Sequence, residues 1–402
     1  MKVQRSALAI TGAFALVLAA CGSTKTTTKA ADTTAATATT AKPAVTTAAG
    51  AATTVAATTA AAPAGKKVDD ALIAAAKAEK KVNLIALPDS WANYKGILKS
   101  FGDKYGIDHP VDNPDGSSAD EITAVKTLKG QPNQPDTVDV GPAFALDGAK
   151  EGLFTKFKPS TWDEVPAVLK DPDGNWVGAY YGIIAIASNT KLVKNPPKSF
   201  ADLLKPEYKG QVSLNGDPRK AGAAFAGVFA AALANGGGYD NIQPGIDFFK
   251  KLKDNGNLAL KDVNENNVLS GETPIVIDWT YNFPGLLDKL KKAGVEMSVN
   301  VPTDGVYAGY YAQGVVAGSP HQNSGKLWIE HILSDEGALG YLEGGAIPAR
   351  FDALSKSGKI TADMKKNLPA PELVAKIQFA APAQITKAKE SVTAKWVDVA
   401  GS

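Results

Sequence analysis

The chain has 402 residues, 44% hydrophobic and 21% charged, so it carries enough apolar material for a packed core and is not disordered as a whole. Its 43 Lys and Arg against 41 Asp and Glu are spread without a basic block, which argues against nucleic acid as a partner, because phosphate neutralisation needs a concentrated positive face. A single cysteine excludes an internal disulfide, and three scattered histidines offer no zinc-binding spacing.

In chain order, the first element is an address. Lys2 and Arg5 precede an apolar, uncharged run rich in small residues, Ala7 to Ala20, which reads as a secretory signal peptide over residues 1–20. The run is too short and too rich in Ala and Gly for a membrane span, which needs about 20 apolar residues. Leu18-Ala19-Ala20-Cys21 resembles a bacterial lipobox, and the resemblance implies that Cys21 becomes the first mature residue and carries lipid. Losing Lys2 and Arg5 leaves 41 basic against 41 acidic residues. Residues 21–65 are dominated by Thr and Ala and hold no aromatic, Leu or Ile. Such a segment cannot offset its ordering entropy and reads as a disordered tether, with a reach of roughly 35 to 40 Å. Its threonines are of a kind that can carry sugars.

The folded body begins near Lys66. Val68 to Lys80 reads as a helix with Val68, Leu72, Ile73 and Ala76 on one stripe, feeding a strand at Val82 to Leu87. Asp89-Ser90 ahead of Trp91, Tyr94, Leu98, Phe101 and Tyr105 marks an amphipathic helix begun by a capping residue. Ser118-Ala119-Asp120-Glu121 reads as a capping box opening a helix from Ile122 to Leu128, and a strand at Thr137 to Val140 is broken by Gly141-Pro142. This rhythm predicts an α/β architecture with mostly parallel sheets.

Three later stretches carry a resemblance. The first is Tyr180-Tyr181-Gly182-Ile183-Ile184-Ala185-Ile186-Ala187 leading to Asn189-Thr190, then Pro196-Pro197-Lys198-Ser199-Phe200 and Asp217-Pro218-Arg219. The second is Gly271-Glu272-Thr273-Pro274-Ile275-Val276-Ile277-Asp278-Trp279. The third, Asn323-Ser324-Gly325-Lys326-Leu327-Trp328-Ile329-Glu330-His331-Ile332-Leu333-Ser334-Asp335-Glu336-Gly337, is the most specific. Together they resemble extracellular solute-binding proteins of ABC importers, in the group of iron(III), polyamine, thiamine and aminophosphonate receptors. The resemblance covers roughly Lys66 to the C-terminus. It implies a two-lobed, type 2 periplasmic-binding-protein-like α/β fold with hinge crossover strands. Lobe one would be residues 66–188 and 307–402, and lobe two residues 189–306, with the ligand between them. It further implies an extracytoplasmic, lipid-anchored receptor that delivers a small solute to ABC permease subunits, works as a monomer and needs no cofactor.

A cleft of this kind is built from loops and helix starts. Ser117 and Ser118 sit at one such start, where Ser118 either touches ligand or merely caps the helix. Asp217-Pro218-Arg219-Lys220 opens an Ala-rich helix from Ala221 to Asn235. There Arg219 and free amides would suit an anion, unless Asp217 is simply the cap. Trp91, Tyr94, Tyr181, Trp279, Tyr281, Tyr310 and Tyr311 are aromatics near the expected loops and crossovers. Rings with one carboxylate hold organic ammonium groups, and Asp278, ending an apolar strand beside Trp279, is the carboxylate of choice. Core packing is the alternative for each ring. The pairs Tyr180-Tyr181 and Tyr310-Tyr311 would suit iron(III), which the resembling iron receptors bind with an adjacent Tyr pair in lobe two. Here that loop reads Trp279-Thr280-Tyr281, a departure that favours an organic amine, such as a polyamine or aminophosphonate, over iron. No Gly-x-Ser-x-Gly, His-Glu-x-x-His or phosphate loop points to an enzyme. A wall- or sugar-binding adhesin is the remaining alternative.

Overall fold

The computed structural model describes residues 66–375 and 377–401; the expected signal peptide, Cys21 and the tether lie outside them. In chain order the elements are α1 (Asp70–Glu79), β1 (Leu84–Ile85), α2 (Tyr94–Tyr105), β2 (Val111–Asp112), α3 (Ser118–Thr127), β3 (Thr137–Val140), α4 (Pro142–Lys150) and β4 (Phe154–Thr155). The long strand β5 (Val177–Asn189) follows, then β6 (Val212–Leu214), α5 (Gly222–Ala234), α6 (Gln243–Asp254), α7 (Glu265–Ser270), β7 (Ile275–Trp279), α8 (Leu287–Lys292) and β8 (Met297–Asn300). Strand β9 (Ala308–Val316) returns beside β5, ahead of α9 (Gln322–Ile332), α10 (Asp335–Glu343), β10 (Ile347–Pro348), α11 (Phe351–Lys356), α12 (Pro371–Val374), α13 (Pro382–Lys395) and α14 (Val397–Ala400). Among the described residues, no helix is long and apolar enough to cross a membrane.

Local chemistry sets the boundaries. Asp69 caps α1 by accepting from the Ala71 amide at 2.9 Å. Helix α2 starts at Tyr94 rather than near Asp89, because Ala92 and Asn93 take left-handed backbone (φ 47° and 63°) and leave Trp91 in the preceding loop. The capping box of α3 is Ser117 with Asp120, one residue earlier than expected. Asp217 does not cap α5. It caps the turn before it, taking the Arg219 amide at 2.8 Å, while the N-cap Ala221 has no side-chain acceptor to offer.

Strand β5 organises the body. Its first half pairs with β9 (Tyr180 opposite Tyr311, Tyr181 opposite Tyr310), and it pairs with β7 from Ile184 on one side and with β8 from Ile186 on the other. The sheet order is β3-β9-β5-β7-β6, so β5 belongs both to a half built on β3 and β9 and to a half built on β6 and β7. Among the strands of the described residues, only β1–β2 and β6–β7 run parallel; every pair made by β5 or β9 is antiparallel. The expected mostly parallel sheet is thus corrected. β5 and β9 run in opposite directions, and β3, β7 and β8 each run against the one of them they meet, so the centre of the sheet is antiparallel.

Helix α5 is buried almost throughout and rich in Ala, the best helix former, with two Gly, so its surface is thin. The thin surface lets neighbours approach. A Cβ on Gly227 would lie 2.6 Å from Leu214 Cδ1, and one on Gly245 of α6 would lie 2.1 Å from the Val228 carbonyl oxygen. Ile246, Phe249 and Leu252 recur on the buried face of α6 and complete this layer.

Candidate functional site

Alternation along β5 and β9 decides which tyrosines meet. Tyr180 and Tyr311 share one face, their rings parallel within 2° at 5.8 Å. Tyr181 and Tyr310 take the other face, against Phe379 at 5.2 and 6.0 Å. The four tyrosines of the iron reading are therefore split two and two. On the Tyr180 face the loop ahead of α2 contributes Trp91, 5.5 Å from Tyr311 and 5.9 Å from Tyr281. Tyr281 in turn stacks on Trp279 at 5.9 Å. Of these rings, Trp279 and Tyr311 line a narrow cleft together with Gly141, Gly222, Phe225 and Tyr307, while Tyr180 and Tyr281 are fully buried beside it.

Behind the rings lies a carboxylate that the sequence reading passed over. Asp139, near the carboxyl end of β3, accepts from Tyr94 Oη (2.7 Å), Tyr180 Oη (2.8 Å) and Gln313 Nε2. Trp91 Nε1 donates to Tyr180 Oη at 3.0 Å, so the network fixes the orientation of the tryptophan wall. Tyr341 joins through Tyr94 Oη at 3.3 Å. Glu121 of α3, also buried, accepts the Asp139 amide at 2.8 Å. Burial pushes the Asp139 carboxyl up to about 7 despite its three donors. Burial, with repulsion from Asp139, also drives Glu121 well above the usual range. The same position-at-strand-end logic that singled out Asp278 applies to Asp139 in Thr137-Val138-Asp139-Val140-Gly141.

Asp278 is buried, but its oxygens turn inward. They accept from the Trp279 amide (2.8 Å) and Asn282 Nδ2 (2.9 Å), and burial raises its carboxyl to about 6. Among the described residues, none of Asp139, Glu121 and Asp278 forms an ion pair, and their hydrogen-bond partners are uncharged side chains and amides. The nearby basic residues are engaged elsewhere or exposed. Arg219 is clamped on Asp217 (2.5 Å) and bonds the Gly401 carbonyl, while Lys220 is exposed and within electrostatic reach of Asp120.

The other end of the cleft is made of helix starts. A Cβ on Gly141, the N-cap of α4, would lie 3.1 Å from Gly222 Cα at the start of α5. Ser118 Oγ accepts the Gly141 amide at 3.0 Å, and Ser117 is spent on its capping box. Across the same seam the Ala119 amide donates to the Lys220 carbonyl at 3.1 Å. Tyr311 Oη faces Gly222. Buried polar atoms are almost always hydrogen-bonded. Yet, among the described residues, Trp279 Nε1, Thr280 Oγ1, Tyr281 Oη, Asn282 Oδ1 and Gln313 Oε1 find no hydrogen-bond partner, and all belong to this region.

A concavity lined by Lys66, Lys104, Ser160, Glu330 and Glu336 lies elsewhere, with its charges satisfied: Lys104 on Glu336 (2.8 Å) and Glu330 on Ser160 (2.7 Å). Among the described residues, no group of three His, Cys, Asp or Glu is placed to hold a metal ion.

Comparison with known proteins adds a family. Residues 135–377 match the family described as bacterial extracellular solute-binding protein. The Fe(3+)-binding periplasmic protein of Serratia marcescens is 27% identical over 273 residues, covering 62% of this chain and 71% of that protein. The spermidine/putrescine-binding periplasmic protein 1 of Haemophilus influenzae is 28% identical over 257 residues, covering 59% and 67%. Among solved structures, the periplasmic binding protein AfuA from Actinobacillus pleuropneumoniae, with fructose-6-phosphate bound, superposes with a TM-score of 0.63 at 20% identity. That match covers 79% of this chain and 98% of AfuA. The likeness shows the two-lobed type 2 fold.

Proposed function

The chain belongs to the bacterial extracellular solute-binding proteins, substrate-binding components of ABC importers, and on that premise we propose that it captures a small organic amine, preferably a zwitterionic one. Polyamines and aminophosphonates are the classes in view. The lobes proposed are residues 66–188 with 307–402, and residues 189–306.

One observation carries this reading: an aromatic-walled cleft with three buried carboxylates and no basic side chain to neutralise them. Such a place favours an incoming cation. Ring faces attract ammonium by about 0.5 to 2 kcal/mol per contact. Trp91, Tyr281 and Tyr311 are the proposed walls, with Asp139 behind them as the counter-charge. Trp279 Nε1 and the uncapped start of α5 are donors, suited to an anionic group on the same solute, with Gly141 and Ser118 shaping that end. In this reading Tyr94 positions Asp139, while Arg219, Tyr181, Tyr310 and Ser117 support the scaffold.

Iron(III) is the alternative, favoured by the convergence of the Tyr94, Tyr180 and Asp139 oxygens. A thermal-shift screen with spermidine, 2-aminoethylphosphonate and iron(III) separates the two. A ligand at 100 times its dissociation constant stabilises by about 2.7 kcal/mol, several degrees of melting temperature. Stabilisation by iron(III) alone, with a phenolate-to-metal colour, rejects the amine reading.

We also propose that Cys21 carries a lipid that holds the receptor at the membrane. Cys21→Ser is expected to move the folded body from the membrane fraction to the soluble fraction, followed by immunoblotting. Retention of the variant in membranes, unprocessed, contradicts the anchor.

A further inference from the structure

Besides β5 and β9, a third connection joins the halves of the body. We infer that residues 377–401 form a strap that bridges both halves and holds the cleft closed in the absence of solute.

On the β3–β9 half, Lys389 of α13 donates to Asp147 Oδ2 of α4 at 2.6 Å, and its ammonium lies 4.0 Å from the centre of the Phe144 ring. On the β6–β7 half, Trp396 is buried and packs on Phe249 of α6 at 5.4 Å. Lys395 donates to Gln243 Oε1 (2.5 Å), Gln384 to Asp240 Oδ1 (3.0 Å), and Lys253 and Arg219 to the carbonyls of Asp398 and Gly401 (both 3.3 Å). Between these anchors Phe379 sits on Tyr181 and Tyr310, on the face of β5 and β9 away from Trp91.

The placement matters because α4 and α5 are the helices whose starts meet at Gly141 and Gly222. Any rotation that parts those glycines carries α4 away from α6, and the strap cannot stay on both. It is packed on both sides: α13, with Ile385, Ala388 and Val392 buried, runs along α4 and adds the Lys389 ion pair there, while Trp396 and several hydrogen bonds hold it to the α6 side. The Lys389–Asp147 pair is the polar contact of the strap with α4, so reversing its charge loosens the strap on that side. By holding the halves together, the strap raises the fraction of molecules ready to bind, and apparent affinity scales with that fraction.

The inference does not depend on which solute binds, and its test uses none. Nitroxide labels on Lys129→Cys and Lys292→Cys, both exposed positions, with Cys21→Ser, report the distance between the halves by double electron–electron resonance. Three ligand-free chains are compared: the labelled parent, Asp147→Lys, and Asp147→Lys with Lys389→Asp. The parent should show one short distance. Asp147→Lys should add a longer population, and the swapped pair should return most of it to the short distance. Identical distributions in all three, or a parent already at the long distance, overturn the strap. Recovery by the swap excludes misfolding as the cause, since both carry the same Asp147→Lys change.

Discussion

Gly222→Val is expected to lower solute affinity by on the order of 100-fold, about 3 kcal/mol, while the chain remains folded. A Cβ at this position would stand 3.1 Å from Tyr311 Oη and 3.2 Å from Gly141 Cα. Backbone cannot retreat as a flexible side chain can, and valine adds two more methyl groups to the clash. Gly141 and Gly222 lie in different halves of the body, so the least costly relief is to part the halves, and the fraction able to enclose solute falls accordingly. Calorimetric titration against the best solute of the screen, with circular dichroism as the control for folding, reads the effect. Wild-type affinity in a folded Gly222→Val chain would show that solute capture does not need this seam closed.

The second large effect is expected at Asp139. Asp139→Ala removes the common acceptor of Tyr94, Tyr180 and Gln313 and leaves buried donors without a partner, each costing about 1 to 3 kcal/mol. Part of this is offset, because the carboxyl is held near 7 by burial and its charged form is itself costly in place. A net loss of about 2 to 4 kcal/mol in urea-unfolding free energy is the expected result. Asp139→Asn, which keeps an acceptor oxygen and no charge, should lose less stability but still weaken amine binding. Unchanged amine affinity in Asp139→Asn would remove this carboxylate from the proposed site.

The difference between Asp139 and Asp278 shows what was legible in the sequence. Both end short apolar strands, and both read as carboxylates delivered to a loop. Only tertiary structure reveals that Asp278 spends its oxygens on Trp279 and Asn282, whereas Asp139 gathers side chains from α2, β5 and β9. The aromatic wall was legible as residue types. Which rings share a face was not, since Tyr180 and Tyr181 are separated by strand alternation that becomes meaningful only once β9 is known to be the partner. The α/β rhythm was likewise readable, but strand direction was not. Pairing between β5 and β9 joins residues more than 120 positions apart, and no local pattern encodes that. The late start of α2 escaped because alanine is a poor advertisement for left-handed backbone, yet Ala92 adopts it. Gly285 helps to hold that loop: a Cβ there would meet the Ser90 carbonyl oxygen at 2.1 Å.

The central claim, that a ring-walled acidic cleft captures an organic cation, has a pH signature opposite to that of the ligand-free fold. Burial raises Asp139 to about 7 and Asp278 to about 6, so between pH 4 and 7 the folded chain binds more protons than the unfolded one. Through these groups its stability rises as pH falls. His331, pushed down to about 4 by burial, acts the other way below pH 6.5, which leaves the interval above 6.5 to Asp139 together with Glu121, which burial also raises. A bound cation prefers the carboxylate. The most direct measurement is therefore calorimetric titration at pH 8 and pH 6 with an amine whose own charge is constant across that range. The account predicts binding at pH 8 that weakens by about tenfold at pH 6. Affinity that is unchanged or higher at pH 6 would contradict it.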